Sequence, residues 1–167
     1  MKKTKLKMLI SLAMLVALNI VLSRFCAIST QITKISLSFL TVACAAYLFG
    51  PLPAAAVGAV ADFIGAILVP TGAYFVGFTV SAFISGLILG AAFRRGTSHI
   101  TVALACIADR VTTTLLLNSL WISLLYGTPL KALILARAVQ CAVMAGVQYI
   151  GITLLLRVLP RIKEAAL

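Results

Sequence analysis

Charged residues are scarce in this 167-residue sequence: they make up 10% of it, and only three of them are acidic. Hydrophobic residues make up 63%, and the mean hydropathy is +1.19. An average soluble domain is about half apolar and about a quarter charged. A soluble chain of this size has too much surface to cover with so few charges, which excludes an ordinary cytosolic enzyme, a disordered chain and a disulfide-stapled secreted module. The composition predicts one integral-membrane domain over residues 1–167.

The sequence also lacks the residue clusters that metal and nucleotide chemistry need. It has one histidine, His99, and four cysteines, none of which forms a CxxC pair. A zinc site requires clustered ligands, and an enzyme requires a clustered base, nucleophile or metal. No GxxxxGK[ST] motif is present, so nothing predicts ATP binding by this chain. We therefore expect no metal, no cofactor and no catalysis, and any pumping has to draw on a partner.

Six apolar segments are present instead. They run roughly over residues 6–22, 35–50, 53–69, 75–93, 100–125 and 130–156. A helix needs about 20 apolar residues to cross a hydrocarbon core of about 30 Å. The segments are near that length, so they predict an all-α bundle of six transmembrane helices.

The distribution of Lys and Arg predicts the orientation of that bundle. With both ends inside, the inner segments hold nine of the 14 cations and the outer segments hold Arg24, Lys34 and Lys131. Cytoplasmic loops carry the excess of Lys and Arg, so the pattern indicates N-in and C-in. The net charge of +11 then reflects membrane topology and anionic headgroups, and we expect no nucleic-acid partner.

Four ionisable residues lie deep inside apolar segments: Asp62, Asp109, Arg110 and Arg137. Such groups are costly in a bilayer, and they face a cavity or one another. Two interpretations stay open for them. They form an internal ion pair between helices, or they line a ligand site.

Helical spacing groups further polar residues with these. Arg110, Thr114, Asn118 and Trp121 fall on one narrow face at about 100° per residue. A similar stripe on the sixth segment contains Arg137, Gln140, Met144 and Gln148. Two stripes that mix cation, amide and aromatic groups favour a pocket. The alternatives are polar contacts between helices and, for Trp121, a place in the aromatic belt at the membrane interface.

Several motifs along the chain resemble one family of membrane proteins. They are Lys34-Ile35-Ser36, Leu48-Phe49-Gly50-Pro51, Val57-Gly58-Ala59-Val60-Ala61-Asp62, the run PTGAYFVGFT at residues 70–79, Leu117-Asn118-Ser119-Leu120-Trp121, Leu125-Tyr126-Gly127-Thr128-Pro129 and Arg137. Their order resembles the S components of energy-coupling-factor (ECF) vitamin transporters, most closely the folate-specific (FolT-like) members. The PTGxYFxGFT run and the Asn-x-x-Trp element are the specific parts of this match.

The resemblance implies a subunit in the bacterial cell membrane that binds folate from outside. Such a subunit docks on a transmembrane coupling partner with two ATPases, which use the ATP. Ala13 and Ala17 form an AxxxA pair in the first segment. Small residues at this spacing allow close helix approach, and the resemblance implies that they are the docking surface.

The motifs, the stripes and the first outer loop, which contains Arg24 and could cap a cavity, supply the candidates for ligand binding. These are Arg24, Lys34, Ser36, Asp62, Pro70, Thr71, Gly72, Tyr74, Phe75, Arg110, Asn118, Trp121, Arg137 and Gln140. Their chemistry suits folate: amide and carboxylate groups can read the pterin edge, rings can stack on it, and cations can pair with the glutamate carboxylates. Which residue meets which end of the ligand stays open.

Other functions remain as alternatives. One is an S component for another vitamin, riboflavin or thiamine. Another is a self-sufficient secondary carrier, for which only Asp62 and Asp109 are available as coupling-ion sites. A requirement for ATP and for partner proteins separates the S component from the carrier.

Overall fold

The chain is almost entirely helical in the computed structural model, which describes residues 2–29, 34–70 and 74–166. Its helices, called first to sixth in chain order, are Lys2–Arg24, Phe39–Phe49, Pro51–Leu68, Val76–Arg95, His99–Tyr126 and Leu130–Ala166. Within the described residues, five are long and apolar enough to cross a membrane, and Phe39–Phe49 is a shorter apolar helix. These helices confirm the predicted all-α membrane architecture.

The second helix is shorter than predicted. The apolar run suggested residues 35–50, but Lys34–Ile35 is a two-residue strand paired antiparallel with Ile28–Ser29. Ser36 then redirects the chain: its hydroxyl donates to the main-chain oxygen of Leu22 at 3.2 Å and accepts from the Ser38 N–H at 3.1 Å. Serine side chains that bond to nearby backbone compete with helix formation, which explains the late start.

The second helix also begins within the depth of the bundle and not at its end. The ring of Phe39, its first residue, lies 5.7 Å from the Arg110 guanidinium, and Gly151 packs against the same ring. Both partners lie well inside their own helices. Ser36, which contacts Leu22 near the end of the first helix, therefore lies between the bundle end and this buried helix start.

Two other helix boundaries differ from the apolar runs. The third helix begins at Pro51 and not at residue 53, because proline is favoured in a first helical turn and Gly50 adopts φ +91° before it. The sixth helix continues to Ala166 and not to residue 156, with Pro160 inside it. Apolar composition marks the membrane-crossing part of a helix, and the helix itself continues into charged sequence.

The third and fourth helices pack backbone to backbone. A Cβ placed on Gly86 or Gly90 would collide with the backbone of Ala55 or Pro51. Gly58 faces Ala82 in the same interface. These are the small residues that close helix packing requires. Most of the buried apolar core residues lie on helices two to four.

Consecutive helices run in opposite directions, as the contacts Asn19–Thr41, Gly90–Pro51 and Trp121–Ser81 show. The two ends of the bundle differ in composition. One end carries Arg24, Asp62 and Trp121, and we call it the Trp121 end. The opposite end carries Lys5, Lys7, Arg94, Arg95 and Arg157, and we call it the Arg94 end.

Candidate ligand-binding site

A chain of polar contacts joins three helices at the Trp121 end. Arg24, the last residue of the first helix, places Nη2 3.6 Å from Asp62 Oδ1 on the third helix. Thr79 of the fourth helix donates to Asp62 Oδ2 at 3.0 Å, and the Tyr74 and Thr79 hydroxyls lie 3.0 Å apart. The Arg24 side chain is only 6% exposed. Asp62 therefore forms an ion pair between helices, which is one of the two interpretations. Its partner is Arg24, which the sequence analysis did not pair with it.

An aromatic cluster lies beside this chain of contacts. The Trp121 Nε1–H donates to Ser81 Oγ at 3.0 Å, and the Trp121 ring lies 5.6 Å from the Phe75 ring. A Cβ on Gly77 would come within 2.5 Å of Trp121 Cδ2, so only glycine fits under the indole. Ser81 and Gly77 were not among the predicted site residues. Their spacing of four on the fourth helix was the available signal, because small residues mark a face that another group approaches.

The third group of residues contains polar atoms without a protein partner. Arg137 on the sixth helix is 4% exposed, and its Nη1 donates to Ser119 Oγ at 3.4 Å. Within the described part of the chain, Arg137 Nε and Asn118 Oδ1 are buried and have no hydrogen-bond partner. Leaving buried polar atoms unpaired costs about 1–3 kcal/mol each, so such atoms in a native structure require an explanation. Contact with a bound polar ligand would be one such explanation.

The charge of Arg137 also favours an anion. Its contact, Ser119, is a neutral hydroxyl, whereas Arg24 has the Asp62 carboxylate beside it. Gln140 is half-buried and lies three residues further along the same helix face. A guanidinium, two amides and two rings therefore lie towards the Trp121 end of the bundle, and this set of groups suits a flat aromatic ligand with an acidic group.

The predicted stripe on the fifth helix is wrong as a single face. Arg110 donates from Nε to Gln148 on the sixth helix, while Trp121 contacts Ser81 on the fourth. The reason is a π-helical segment over Arg110–Leu117, which rotates the residues after it relative to the regular α-helix on which the spacing was counted. Arg110 and Trp121 thus contact different helices.

The remaining candidates have varied positions. Pro70 is exposed, and Ser36 is half-buried with its hydroxyl engaged by backbone. Thr71 and Gly72 lie outside the described residues, and Lys34 is described in its backbone only. The structure therefore leaves their contribution to a site as a prediction.

Ala13 and Ala17 are both exposed on the first helix. Their neighbours Leu9, Met14 and Leu18 are exposed as well. The two alanines therefore do not pack inside this bundle, and their face is open to lipid or to another protein.

Comparisons with known proteins agree with these features. A family model described as "ECF transporter, substrate-specific component" matches residues 7–156. The folate transporter FolT of Clostridium novyi (strain NT) is 39% identical over 141 residues, covering 84% of this chain and 82% of that protein. FolT of Leuconostoc mesenteroides subsp. mesenteroides is 37% identical over 128 residues, covering 75% of this chain and 69% of that protein. A crystal structure of FolT bound with folic acid superposes with a TM-score of 0.80 at 34% identity, over 85% of this chain and 87% of that one. The chain therefore belongs to the family of ECF transporter substrate-specific components, which are transport proteins and not enzymes.

Proposed function

We propose that this protein is the folate-binding S component of an ECF-type importer in a bacterial cell membrane. The observation that carries the proposal is the likeness, over 85% of the chain, to a FolT structure that holds folic acid. Two bacterial relatives named as folate transporters support the same ligand.

The proposed topology has six membrane passes with both termini inside. Nine of the 14 cations lie in the segments that this arrangement places in the cytoplasm, as the positive-inside rule requires. The Phe39–Phe49 helix has 11 residues and is about 16 Å long, so it completes its pass together with the chain that precedes it. The Trp121 end then faces outside and receives folate, and the Arg94 end faces the cytoplasm.

The proposed ligand contacts follow from the chemistry at the Trp121 end. The buried, unpartnered Arg137 Nε and Asn118 Oδ1 offer a donor and an acceptor to the polar edge or an acidic group of folate. The rings of Trp121 and Phe75 offer stacking surfaces. Arg24, Asp62 and the remaining candidates other than Arg110 stay part of the proposed site.

Transport requires partners in this proposal. The exposed Ala13 and Ala17 face is the proposed docking surface for a transmembrane coupling subunit, because small side chains let a partner helix approach closely. Two ATPase subunits bound to that partner use the ATP.

A titration of the purified protein tests the ligand. Isothermal titration with folate, riboflavin, thiamine and biotin, without ATP, should give saturable heat with folate alone, because the pocket belongs to this chain. A response to riboflavin or thiamine but not to folate would move the assignment to another vitamin. Folate uptake by vesicles that contain only this protein, without ATP, would favour a secondary carrier instead.

A further inference from the structure

The fifth helix changes its hydrogen-bonding pattern on the way to the aromatic cluster. Over Arg110–Leu117 the helix is π-helical, and the Asn118 N–H donates to Thr113 O, five residues back. π-helical geometry is rare and is usually limited to a single turn, often at a functional site. An eight-residue segment therefore requires tertiary contacts that hold it in place.

A buried polar cluster sits at the residue where the π segment begins. Gln148 of the sixth helix donates from Nε2 to Asp109 Oδ2 at 2.9 Å, and its Oε1 accepts from Arg110 Nε. One glutamine thus binds both the last α-helical residue and the first π-helical residue of the fifth helix. Within the segment, Thr113 Oγ1 donates to Asp109 O at 2.6 Å.

The cluster combines one negative, one positive and one neutral group. Asp109 is 2% exposed and Gln148 is fully buried, while the Arg110 guanidinium lies over the Phe39 ring. Ionisable groups at this depth are stable only when they are paired or hydrogen-bonded. Both polar atoms of the Gln148 amide are used, so the amide has one favourable orientation and the junction has one favourable geometry.

We propose that Asp109, Gln148 and Arg110 position the ligand site by holding the π segment. The segment sets the rotation at which Asn118 and Trp121 leave it, and hence the contact of Trp121 with Ser81 on the fourth helix. These three are positioning residues: they act on the site through the fifth helix and do not touch the ligand. The link to folate affinity rests on the proposed function, whereas the position of Trp121 does not.

Exchanging the acid and the amide tests this proposal. Gln148→Glu places a second carboxylate opposite Asp109, and Asp109→Asn leaves Arg110 without a neighbouring carboxylate. We expect each single variant to weaken folate binding at least tenfold and to shift the emission of ligand-free Trp121. The double variant restores one carboxylate, one amide and one guanidinium. Its folate affinity should therefore return to within threefold of the parent value, and its Trp121 emission maximum should return to that of the parent.

Controls separate positioning from general damage. Thr153→Val removes a buried hydroxyl five residues after Gln148 on the sixth helix, outside the cluster, and should leave both readouts unchanged. Folded single variants with parental emission and affinity would overturn the proposal, and so would a folded double variant that recovers neither.

If the single variants fail to fold, the near-isosteric Thr113→Val decides: we expect at least threefold weaker binding and shifted emission, and no change in either refutes the proposal. If the parent itself does not bind folate, the proposed function fails, but the emission readouts still test the positioning of Trp121.

Discussion

Adding one methyl group under the indole of Trp121 should weaken ligand binding. In Gly77→Ala the new Cβ would lie 2.5 Å from Trp121 Cδ2 and 2.6 Å from Phe75 Cε1. Ordinary contact of a Cβ begins at 3.4 Å, so the rings have to move by about 1 Å. Overpacking of this kind costs about 1–3 kcal/mol. The better helix propensity of alanine offsets at most about 1 kcal/mol of it.

The same displacement of the rings should also weaken folate binding. If the Trp121 and Phe75 rings stack on the ligand, displacing them should weaken folate binding about tenfold, which corresponds to about 1.4 kcal/mol. Isothermal titration measures the affinity. The emission of Trp121, the single tryptophan of the chain, reports the displaced ring directly.

A second glycine provides the matched control. Gly146 lies on the sixth helix, and a Cβ placed on it meets no atom within 4 Å. Gly146→Ala should therefore keep the parental folate affinity and emission, with stability unchanged or raised by up to about 1 kcal/mol. A well-folded Gly77→Ala protein that binds folate within twofold of the parent would refute the placement of the ligand against Trp121 and Phe75.

Three further predictions test charge, topology and docking. Arg137→Ala should weaken folate binding by about 2–3 kcal/mol if a charge-assisted contact is lost, and a variant that elutes as the parent in gel filtration but binds normally would make this arginine structural. In a cysteine-free background, an impermeant maleimide applied to intact cells should label a cysteine at Lys34 and not one at Arg95, and the reverse result would invert the topology. Ala13→Trp combined with Ala17→Trp should leave folate binding to the isolated subunit intact while ATP-dependent uptake by the full complex falls to background. Surviving uptake would place docking on another surface.

The helices were predictable because hydrophobic burial in a bilayer requires long apolar runs. Each of the five long helices overlaps its predicted segment, and each differs from it at the ends. The ends are set by local backbone chemistry that hydropathy does not report, such as Gly50 before Pro51 or the serine contacts before Phe39.

Parts of the candidate site were also visible in the motifs. Trp121, Phe75, Asn118 and Arg137 were selected as candidates and lie towards the Trp121 end, where the Trp121 and Phe75 rings are in contact and Arg137 donates to Ser119. The contacts between them were not predictable. Arg24 and Asp62 are 38 residues apart in sequence, and no spacing rule joins two helices across such a distance.

The sequence by itself determined the class of the molecule. Because charge is scarce and the apolar runs are long, burial in lipid is the stable arrangement. The cations between the runs favour one orientation in the membrane. The tertiary structure alone decided the register of the fifth helix. A count at 100° per residue places Arg110 and Trp121 on one face, but hydrogen bonds from Gln148 hold Asp109 and Arg110 at the start of a π segment and the two side chains face different helices. Those bonds involve a helix about 40 residues further along the chain, so the rotation of Asn118 and Trp121 is set only once the helices have packed.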